Sequence, residues 1–314
     1  MSIERPLAVG PTGPQVSVLI TAYNRENYIA DAIESVQAST FQDFEIVVVD
    51  DSSSDATVDV VRRYQRNDER ITLIVNETNL GDYPNRNRAA REAKGEYLKY
   101  VDSDDLIYPH GLDVMIRCMN AFPEAGLGLS ALPDPARPCP ISLTPLEAYR
   151  ENFFERDLLA RAPGSAIIRR TAFEQSGGFS GRRQVGDHEL WLKLASRFAV
   201  VKMPTDLVWD RQHGHQEKEF DNAAMKAVMH EEVQLAALNS DDCPLTADER
   251  EAAVARISGD RARNYWRLLV NGADRSLAAK YRRAAGVSAA SIGGFALGRL
   301  IGGTALSRPA PTRQ

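Results

Sequence analysis

What most limits the folds open to this chain is an alternation near its start. Short apolar runs are followed by stretches of helical periodicity, and several of the runs end in acids. Val16-Ser17-Val18-Leu19-Ile20 is β-branched and of buried-strand length. It stops at Thr21-Ala22-Tyr23-Asn24, where Asn24 fits the N-cap of a helix showing Tyr28, Ile29, Ala32, Ile33 and Val36 on one face. Residues 44–49 read as a second strand ending at Asp50-Asp51. Ser52-Ser53-Ser54-Asp55 then offers caps to a helix carrying Val58, Val61 and Tyr64. Residues 71–75 are a third strand. Pro84 suits the first turn of a helix that runs to about Lys94, with Gly95 as its C-cap. Residues 97–101 form a fourth strand that runs into Asp102-Ser103-Asp104-Asp105. This β-α-β-α-β-α-β order predicts an α/β fold with a mainly parallel central sheet and helices on both faces. Ligands of such sheets gather at the carboxyl ends of the strands, so three polar, acid-rich loops converge on one edge.

Beyond that point the pattern loosens. Residues 126–131 and 165–169 read as strands, 171–176 as a short helix closed by Gly177-Gly178, and 199–203 and 206–209 as closing strands. Residues 132–145 hold five prolines and read as a loop. Residues 187–198 form an amphipathic helix with Leu190, Trp191, Leu194 and Phe198 on one face. Trp191 and Trp209 read as core residues, and Trp266 as packed between C-terminal helices. The expected organisation is a flexible N-terminus (1–14), an α/β domain (15–216), a helical C-terminal region (217–306) and a flexible tail (307–314).

Charge and composition exclude several classes. Lys+Arg total 38 against 43 Asp+Glu, a net charge of -5, which disfavours a generic nucleic-acid binder. Cys118, Cys139 and Cys243 are far apart and form no C-x-x-C pair, so neither a disulfide framework nor a cysteine zinc site is expected. That usage suits a reducing cytoplasm. Residues 1–14 lack a signal-peptide apolar run, and no uninterrupted apolar stretch is long enough to span a bilayer. The nearest approach, 284–306, is diluted by Gly and Ser and broken by Arg299. It reads as a packed C-terminal helix, with a membrane-surface helix as the alternative. The arginines of 261–283 point the same way, to contact with an anionic membrane at its inner face.

The acids at the strand ends carry the candidate chemistry. The carboxylates of 102–105 repel one another unless a cation neutralises them, and a hard divalent cation takes oxygen ligands and bridges readily to phosphates. Their alternative role is to cap the helix that follows Pro109. Asp50 and Asp51 fit two readings, as turn and capping residues or as acceptors for a base N–H or a ribose hydroxyl.

Taken together, these blocks resemble the inverting family-2 glycosyltransferases of the GT-A fold. The resemblance is carried by residues 16–24, Ile46-Val47-Val48-Val49-Asp50-Asp51-Ser52-Ser53-Ser54-Asp55, Asn79-Leu80-Gly81, Asn85-Arg86-Asn87, Ala93-Lys94-Gly95-Glu96-Tyr97 and Val101-Asp102-Ser103-Asp104-Asp105. It implies a sugar transferred from a nucleoside diphosphate sugar to an acceptor hydroxyl of a sugar, lipid-linked or glycoconjugate molecule. Thr21, Ala22 and Tyr23, with Asn24, would line the base and ribose. Asp50 or Asp51 would read the base, most often uracil, and Arg86 would approach the base and phosphates. Asp102 and Asp104, flanking Ser103, would be the D-x-D pair. Asp104 would bind Mn²⁺ or Mg²⁺ at the diphosphate, Asp102 would hold ribose or the donor sugar, and Asp105 would assist. Arg211 and His213 resemble an R-x-H segment, implying a phosphate contact for Arg211 and either a metal ligand or a diphosphate contact for His213, with His215 a weaker candidate. The family's catalytic base lies in a Glu-Asp pair after Gly-Gly-Phe. Gly177-Gly178-Phe179 is present here, but Gly186 stands before Asp187 where the Glu would be. Asp187 is the expected base and Glu189 the second candidate; Asp187 could instead only cap its helix.

Other classes meet obstacles. A sugar-phosphate nucleotidyltransferase would need a Gly-rich basic loop after the first strand, and Thr21-Ala22-Tyr23-Asn24-Arg25 is not one. No G-x-G-x-x-G follows that strand to bind a dinucleotide. A non-catalytic nucleotide-sugar-binding protein on the same fold stays open because of Gly186.

Overall fold

Strand β1 (Val16–Ala22) is buried at every position except Thr21, and the sheet is built outward from it. The computed structural model describes residues 13–131, 137–213, 223–270, 275–289 and 293. After β1 come α1 (Ile29–Gln37), β2 (Phe44–Asp50), α2 (Thr57–Asn67), β3 (Ile71–Val75), α3 (Asp82–Glu92) and β4 (Tyr97–Asp102). These are followed by β5 (Leu106–Ile107), α4 (Gly111–Asn120), β6 (Ala125–Ser130), β7 (Ile141–Leu143), α5 (Pro145–Arg150), β8 (Ala166–Arg169) and α6 (Arg170–Gln175). The unit closes with α7 (Gly186–Arg197), β9 (Ala199–Met203) and β10 (Val208–Trp209). Helices α8 (Ala223–Leu238), α9 (Ala247–Val270) and α10 (Arg275–Ala284) complete the described elements. The described residues fall into two compact units, one within Met1–Gln216 plus Ser240–Leu245 and one within Glu217–Asn239 plus Thr246–Gln314.

The main sheet runs β3-β2-β1-β4-β8-β6-β9-β7. The β3-β2-β1-β4 half is parallel throughout. Beyond it β8 lies antiparallel to both β4 and β6, and β7 antiparallel to β9. The sheet is therefore parallel where the α/β alternation is regular and mixed where it breaks down. Val18, Ile20, Ile46 and Val48 face Ile33 and Val36 of α1, Val61 of α2 and Leu112 and Met115 of α4 in one apolar cluster. Each such aliphatic side chain contributes about 1.5–3 kcal/mol on burial. Helix α3 covers the opposite face: the Tyr100 hydroxyl donates to the Arg86 carbonyl and Asn85 Nδ2 donates to the Val49 carbonyl.

Four local expectations are corrected. Asn24 does not cap α1; its φ is 53° and its side chain accepts from the Ser54 N–H at 2.9 Å, stapling the first two strand-end loops together. Helix α3 stops at Glu92, and Gly95 is not its cap. A Cβ on Gly95 would lie 2.5 Å from the Ser17 nitrogen, so glycine is needed for close approach to β1. Residues 132–145 are not all loop. Ile141–Leu143 pairs with β9 as an edge strand, where flanking prolines are tolerated, and Pro145 opens α5 behind a Thr144–Glu147 capping box. Trp191 is fully buried, but Trp209 is 41% exposed.

Cys118, Cys139 and Cys243 form no disulfide with one another. Among the described residues no helix is long and apolar enough to cross a membrane. The expectations for residues 1–12, 132–136, His215, the apolar stretch from 294 onward with Arg299, and the tail 307–314 lie outside the described residues.

Candidate functional site

Parallel register sets the site's frame. Ala22 lies beside Asp50 of β2, and Thr21 beside Asp102 of β4, so two carboxylates flank the end of the central strand. Adjacent strands are about 4.8 Å apart. The loops that follow are laced together. The Asn24 N–H donates to Ser53 Oγ at 2.9 Å, and the Arg25 N–H to Thr57 Oγ1 at 2.7 Å.

Asp50 and Asp51 are both buried and both shape loops. Asp50 accepts from the Ser53 N–H at 2.9 Å and from the Ser53 hydroxyl. Asp51 accepts from Asn76 Nδ2 and from the Leu80 and Gly81 N–H groups, at 2.9, 2.8 and 2.9 Å. These bonds fit the turn-forming reading and fix the Asn79-Leu80-Gly81 segment beside β2. Tyr23 is 48% exposed and Ser103 is buried.

The 102–105 loop is completed from far along the chain. Trp209 pairs antiparallel with Leu106 in the β5–β10 ribbon, which delivers the residues after Trp209 to the acids. The Arg211 N–H donates to Asp105 Oδ1 and its Nε to the Asp104 carbonyl, both at 2.9 Å. The His213 ring Nε2 lies 3.0 Å from Asp104 Oδ2, and Arg25 Nε lies 3.2 Å from that same oxygen. Tyr28 stacks on His213 with centroids 4.6 Å apart. Arg211 lies over the rings of Tyr28 and Trp209 and pairs with Asp31 at 2.8 Å. Burial, then the charge of Asp102, pushes the Asp105 carboxyl up to about 7.

Asp102, Asp104, Asp105 and His213 each have partners at this edge. Asp102 is paired with Arg86, Asp105 with the Arg211 backbone, and Asp104 with His213. Among the described residues no three acid, histidine or cysteine side chains form a metal cage. A lone carboxylate with a neighbouring imidazole nonetheless suits Mg²⁺ or Mn²⁺, because such ions are held through one or two carboxylates with the remaining positions left to water and substrate phosphate.

Helix α3 connects this loop to the base candidates. Arg86 is buried, with Nε on Asp82 Oδ1 and Nη2 on Asp102 Oδ1, both at 2.7 Å. Burial works against its charge, but the two carboxylates outweigh that and hold it protonated. Its Nη1 has no hydrogen-bond partner, leaving one buried donor available. One residue on, the Asn87 side chain brackets Phe179, accepting from its N–H at 3.0 Å and donating to its carbonyl at 2.8 Å. Tyr83, one turn earlier, stacks on Phe179 with centroids 5.0 Å apart; its ring lies against Gly186 beside Asp187, and its hydroxyl acts to lower the Asp187 pKa. Asp187 sits in the first turn of α7, where Asp187 Oδ1 also accepts from the His188 N–H at 2.7 Å. Burial pushes the Asp187 carboxyl up, against those two influences. Glu189 accepts from the Ser180 hydroxyl and lies 3.9 Å from Lys193.

The structure also explains Gly186. A Cβ at that position would lie 2.7 Å from Cε2 of Tyr83, so the tyrosine ring fills the space a glutamate would need. Arg25, Tyr28, Asp82 and Tyr83 are the site residues the sequence did not single out. Arg25 directly follows Asn24, and Asp82 and Tyr83 directly precede the Asn85-Arg86-Asn87 block, but no spacing rule marked them.

The family model described as "Glycosyl transferase family 2" matches residues 17–177, just over half of the chain. The chain belongs to glycosyl transferase family 2. A "GalNAc(5)-diNAcBac-PP-undecaprenol beta-1,3-glucosyltransferase" from Campylobacter jejuni is 35% identical over 108 residues, 34% of this chain and 35% of that protein. Matches to the first curated relatives span about a third of those proteins' length. Among solved structures, S. aureus TarS 1–349 in complex with UDP-GlcNAc superposes with a TM-score of 0.66 at 20% identity, covering 86% of this chain and 79% of that one. The mannosyltransferase PcManGT from Pyrobaculum calidifontis, in complex with GDP-Man and Mn²⁺, gives 0.60 at 19% identity, covering 95% and 84%. These likenesses establish the GT-A fold of this family-2 member.

Proposed function

We propose that this protein transfers a sugar from a nucleoside diphosphate sugar, most consistently a UDP-sugar, to an acceptor hydroxyl with inversion, in polysaccharide or glycoconjugate synthesis. The observation that carries this reading is the span of α3. One face of that helix clasps Asp102 through Arg86 and, one turn away, sets the Tyr83 ring against Gly186, the residue before Asp187. In this reading a single rigid element serves both a donor-side carboxylate and a base of raised proton affinity.

In this reading the strand-end loops of 21–24, 50–51 and 102–105 hold the nucleotide, with Asp50 or Asp51 taking the base. The free Nη1 donor of Arg86 is available to a phosphate or ribose oxygen. Asp104 and His213 would hold Mn²⁺ or Mg²⁺, with Asp102 and Asp105 alongside; such an ion neutralises charge developing on a diphosphate leaving group. Asp187 takes the proton from the acceptor hydroxyl as its oxygen bonds to the anomeric carbon and the bond to the diphosphate breaks. Its raised pKa fits a general base working near neutral pH. Glu189 is the second candidate, but its carboxylate is engaged by Ser180.

The reading draws support from relatives: TarS was solved with UDP-GlcNAc, PcManGT with GDP-Man and Mn²⁺, and the Campylobacter relative is named for an undecaprenol-linked acceptor. A panel of nucleotide sugars, screened by thermal shift with and without Mn²⁺, tests it. The true donor stabilises the native state by mass action and stands out from the rest. Equal shifts for all donors regardless of metal would reject donor binding. Donor binding with no transfer or hydrolysis, unchanged in Asp187→Asn, would favour a non-catalytic binding protein, the reading that Gly186 keeps open.

A further inference from the structure

The second unit segregates its charge. Residues 261–283 carry seven basic residues and one acid, in a chain whose net charge is -5. Two of those arginines are neutralised locally, Arg261 by Glu231 at 2.9 Å and Arg263 by Asp260 at 3.0 Å. Arg267 on α9, and Lys280, Arg282 and Arg283 on α10, are exposed and, among the described residues, have no acidic partner.

Two of these cations, Arg282 and Arg283, sit beside apolar side chains. Helices α8, α9 and α10 bury Val228, Tyr281 and Ala285 among themselves, with Tyr265 and Leu268 packed alongside. The end of α9 is left uncovered, with Leu269 44% and Val270 64% exposed. Between α9 and α10 runs an open groove of about 590 Å³, lined by Tyr265, Leu269, Ala278, Val287 and the two arginines Arg282 and Arg283. The Arg282 guanidinium lies 5.9 Å over the Tyr265 ring, so the aromatic body and the cation share the groove wall. Apolar side chains beside unneutralised arginines match a bilayer interface, where the chains enter the acyl boundary and the cations meet anionic headgroups. A purely apolar partner would leave Arg282 and Arg283 desolvated, and a soluble acidic partner would gain nothing from Leu269 and Val270.

We propose that this face of α9 and α10 docks the protein on an anionic phospholipid surface. Binding is electrostatic and interfacial, through the side chains of α9 and α10. It is independent of the sugar-transfer reading, because none of these residues belongs to the strand-end site.

The test is co-sedimentation of the full chain with vesicles of phosphatidylcholine alone and of phosphatidylcholine with about one quarter phosphatidylglycerol. The expected result is binding to the anionic vesicles only, weakened at high salt as the headgroup field is screened. Near an anionic surface each basic residue is worth about fivefold in affinity. Arg282→Gln/Arg283→Gln should therefore bind about 25-fold more weakly, and Leu269→Ser/Val270→Ser should also bind more weakly. Because Arg282 touches Tyr265, Arg267→Gln/Lys280→Gln serves as a second charge variant that leaves that contact intact. Circular dichroism and donor thermal shift, unchanged in each variant, show that the fold persists. The proposal is overturned by absence of binding to anionic vesicles, by equal binding to neutral ones, or by both charge variants binding like the parent. It is also overturned if sedimentation velocity without lipid shows a dimer that these variants dissolve, since the face would then meet a second copy.

Discussion

Arg25 and Asp104 form an ion pair at the strand-end edge, with Nε of the arginine 3.2 Å from Oδ2 of the aspartate. The His213 ring nitrogen approaches that same oxygen at 3.0 Å. A divalent cation bound to this oxygen has to displace the guanidinium, so the pair opposes metal binding until a diphosphate offers the arginine another anion. Arg25→Gln should tighten Mn²⁺ binding to the nucleotide-free protein by up to about fivefold, the ~1 kcal/mol scale of a partly exposed ion pair. Asp104→Asn should abolish it. Electron paramagnetic resonance of free Mn²⁺ reads both directly. Unchanged affinity in Arg25→Gln together with retained binding in Asp104→Asn would place the ion elsewhere.

Asp187→Asn separates catalysis from stability. Loss of a general base costs about 10²–10⁴ in rate, and donor thermal shift should persist because the nucleotide loops are untouched. Burial raises the Asp187 pKa in the folded state, so between its unfolded and folded values the native protein holds the extra proton. That stabilising contribution is present at low pH and is lost as pH rises through the folded pKa. At neutral pH the parent therefore carries a disfavoured buried carboxylate that asparagine lacks. The variant should melt higher at pH 7.5, with the gain vanishing toward pH 4. A variant that melts lower at pH 7.5 would argue that the carboxylate is a structural cap.

How much of this was legible in sequence depended on range. Asp50, Asp51 and the 102–105 acids follow buried strands directly, so local periodicity placed them on one edge, and parallel register brought Asp50 and Asp102 to either side of β1. The role of the β5–β10 ribbon was not legible. Two-residue strands carry no period, yet the pairing of Leu106 with Trp209 is what sets Arg211 and His213 on the acidic loop. The same limit hid the edge strand at Ile141–Leu143, where prolines masked the apolar pattern. Trp209 read as core because tryptophan is usually buried; here it backs the Arg211 guanidinium instead.

Tyr83 and Gly186 should behave as a coupled pair. Gly186→Ala sets a methyl 2.7 Å from the tyrosine ring and should cost about 1–3 kcal/mol by overpacking. In a Tyr83→Ala background the clash disappears, so the two substitutions should be strongly non-additive in a denaturation cycle. Tyr83→Phe keeps the ring and removes the hydroxyl. The tyrosine hydroxyl acts to lower the Asp187 pKa, so its loss should move the acid limb of the transfer rate to higher pH while leaving donor KM largely unchanged. Additive stabilities, or an acid limb that does not move, would mean that the ring merely packs beside α7.

Lys99 offers a test of the sheet beneath the site. Its ammonium is fully buried on β4 and donates to the carbonyls of Tyr100, at 2.8 Å, and of Gly164, tying the turn before β8 to the strand that ends in Asp102. Burial pulls its pKa down to about 7, against the charges of Asp102 and Asp105. Between pH 7 and about 10.4, the ordinary lysine value, the unfolded chain binds a proton that the folded chain does not. Stability of the parent should therefore rise through that window. Lys99→Met lacks this dependence, whatever the cost of leaving two carbonyls unpaired. The difference in urea midpoint, parent minus variant, should grow steadily from pH 7 to pH 10. A difference that stays flat would mean that the ammonium remains charged throughout, held by the acids at the end of its own strand.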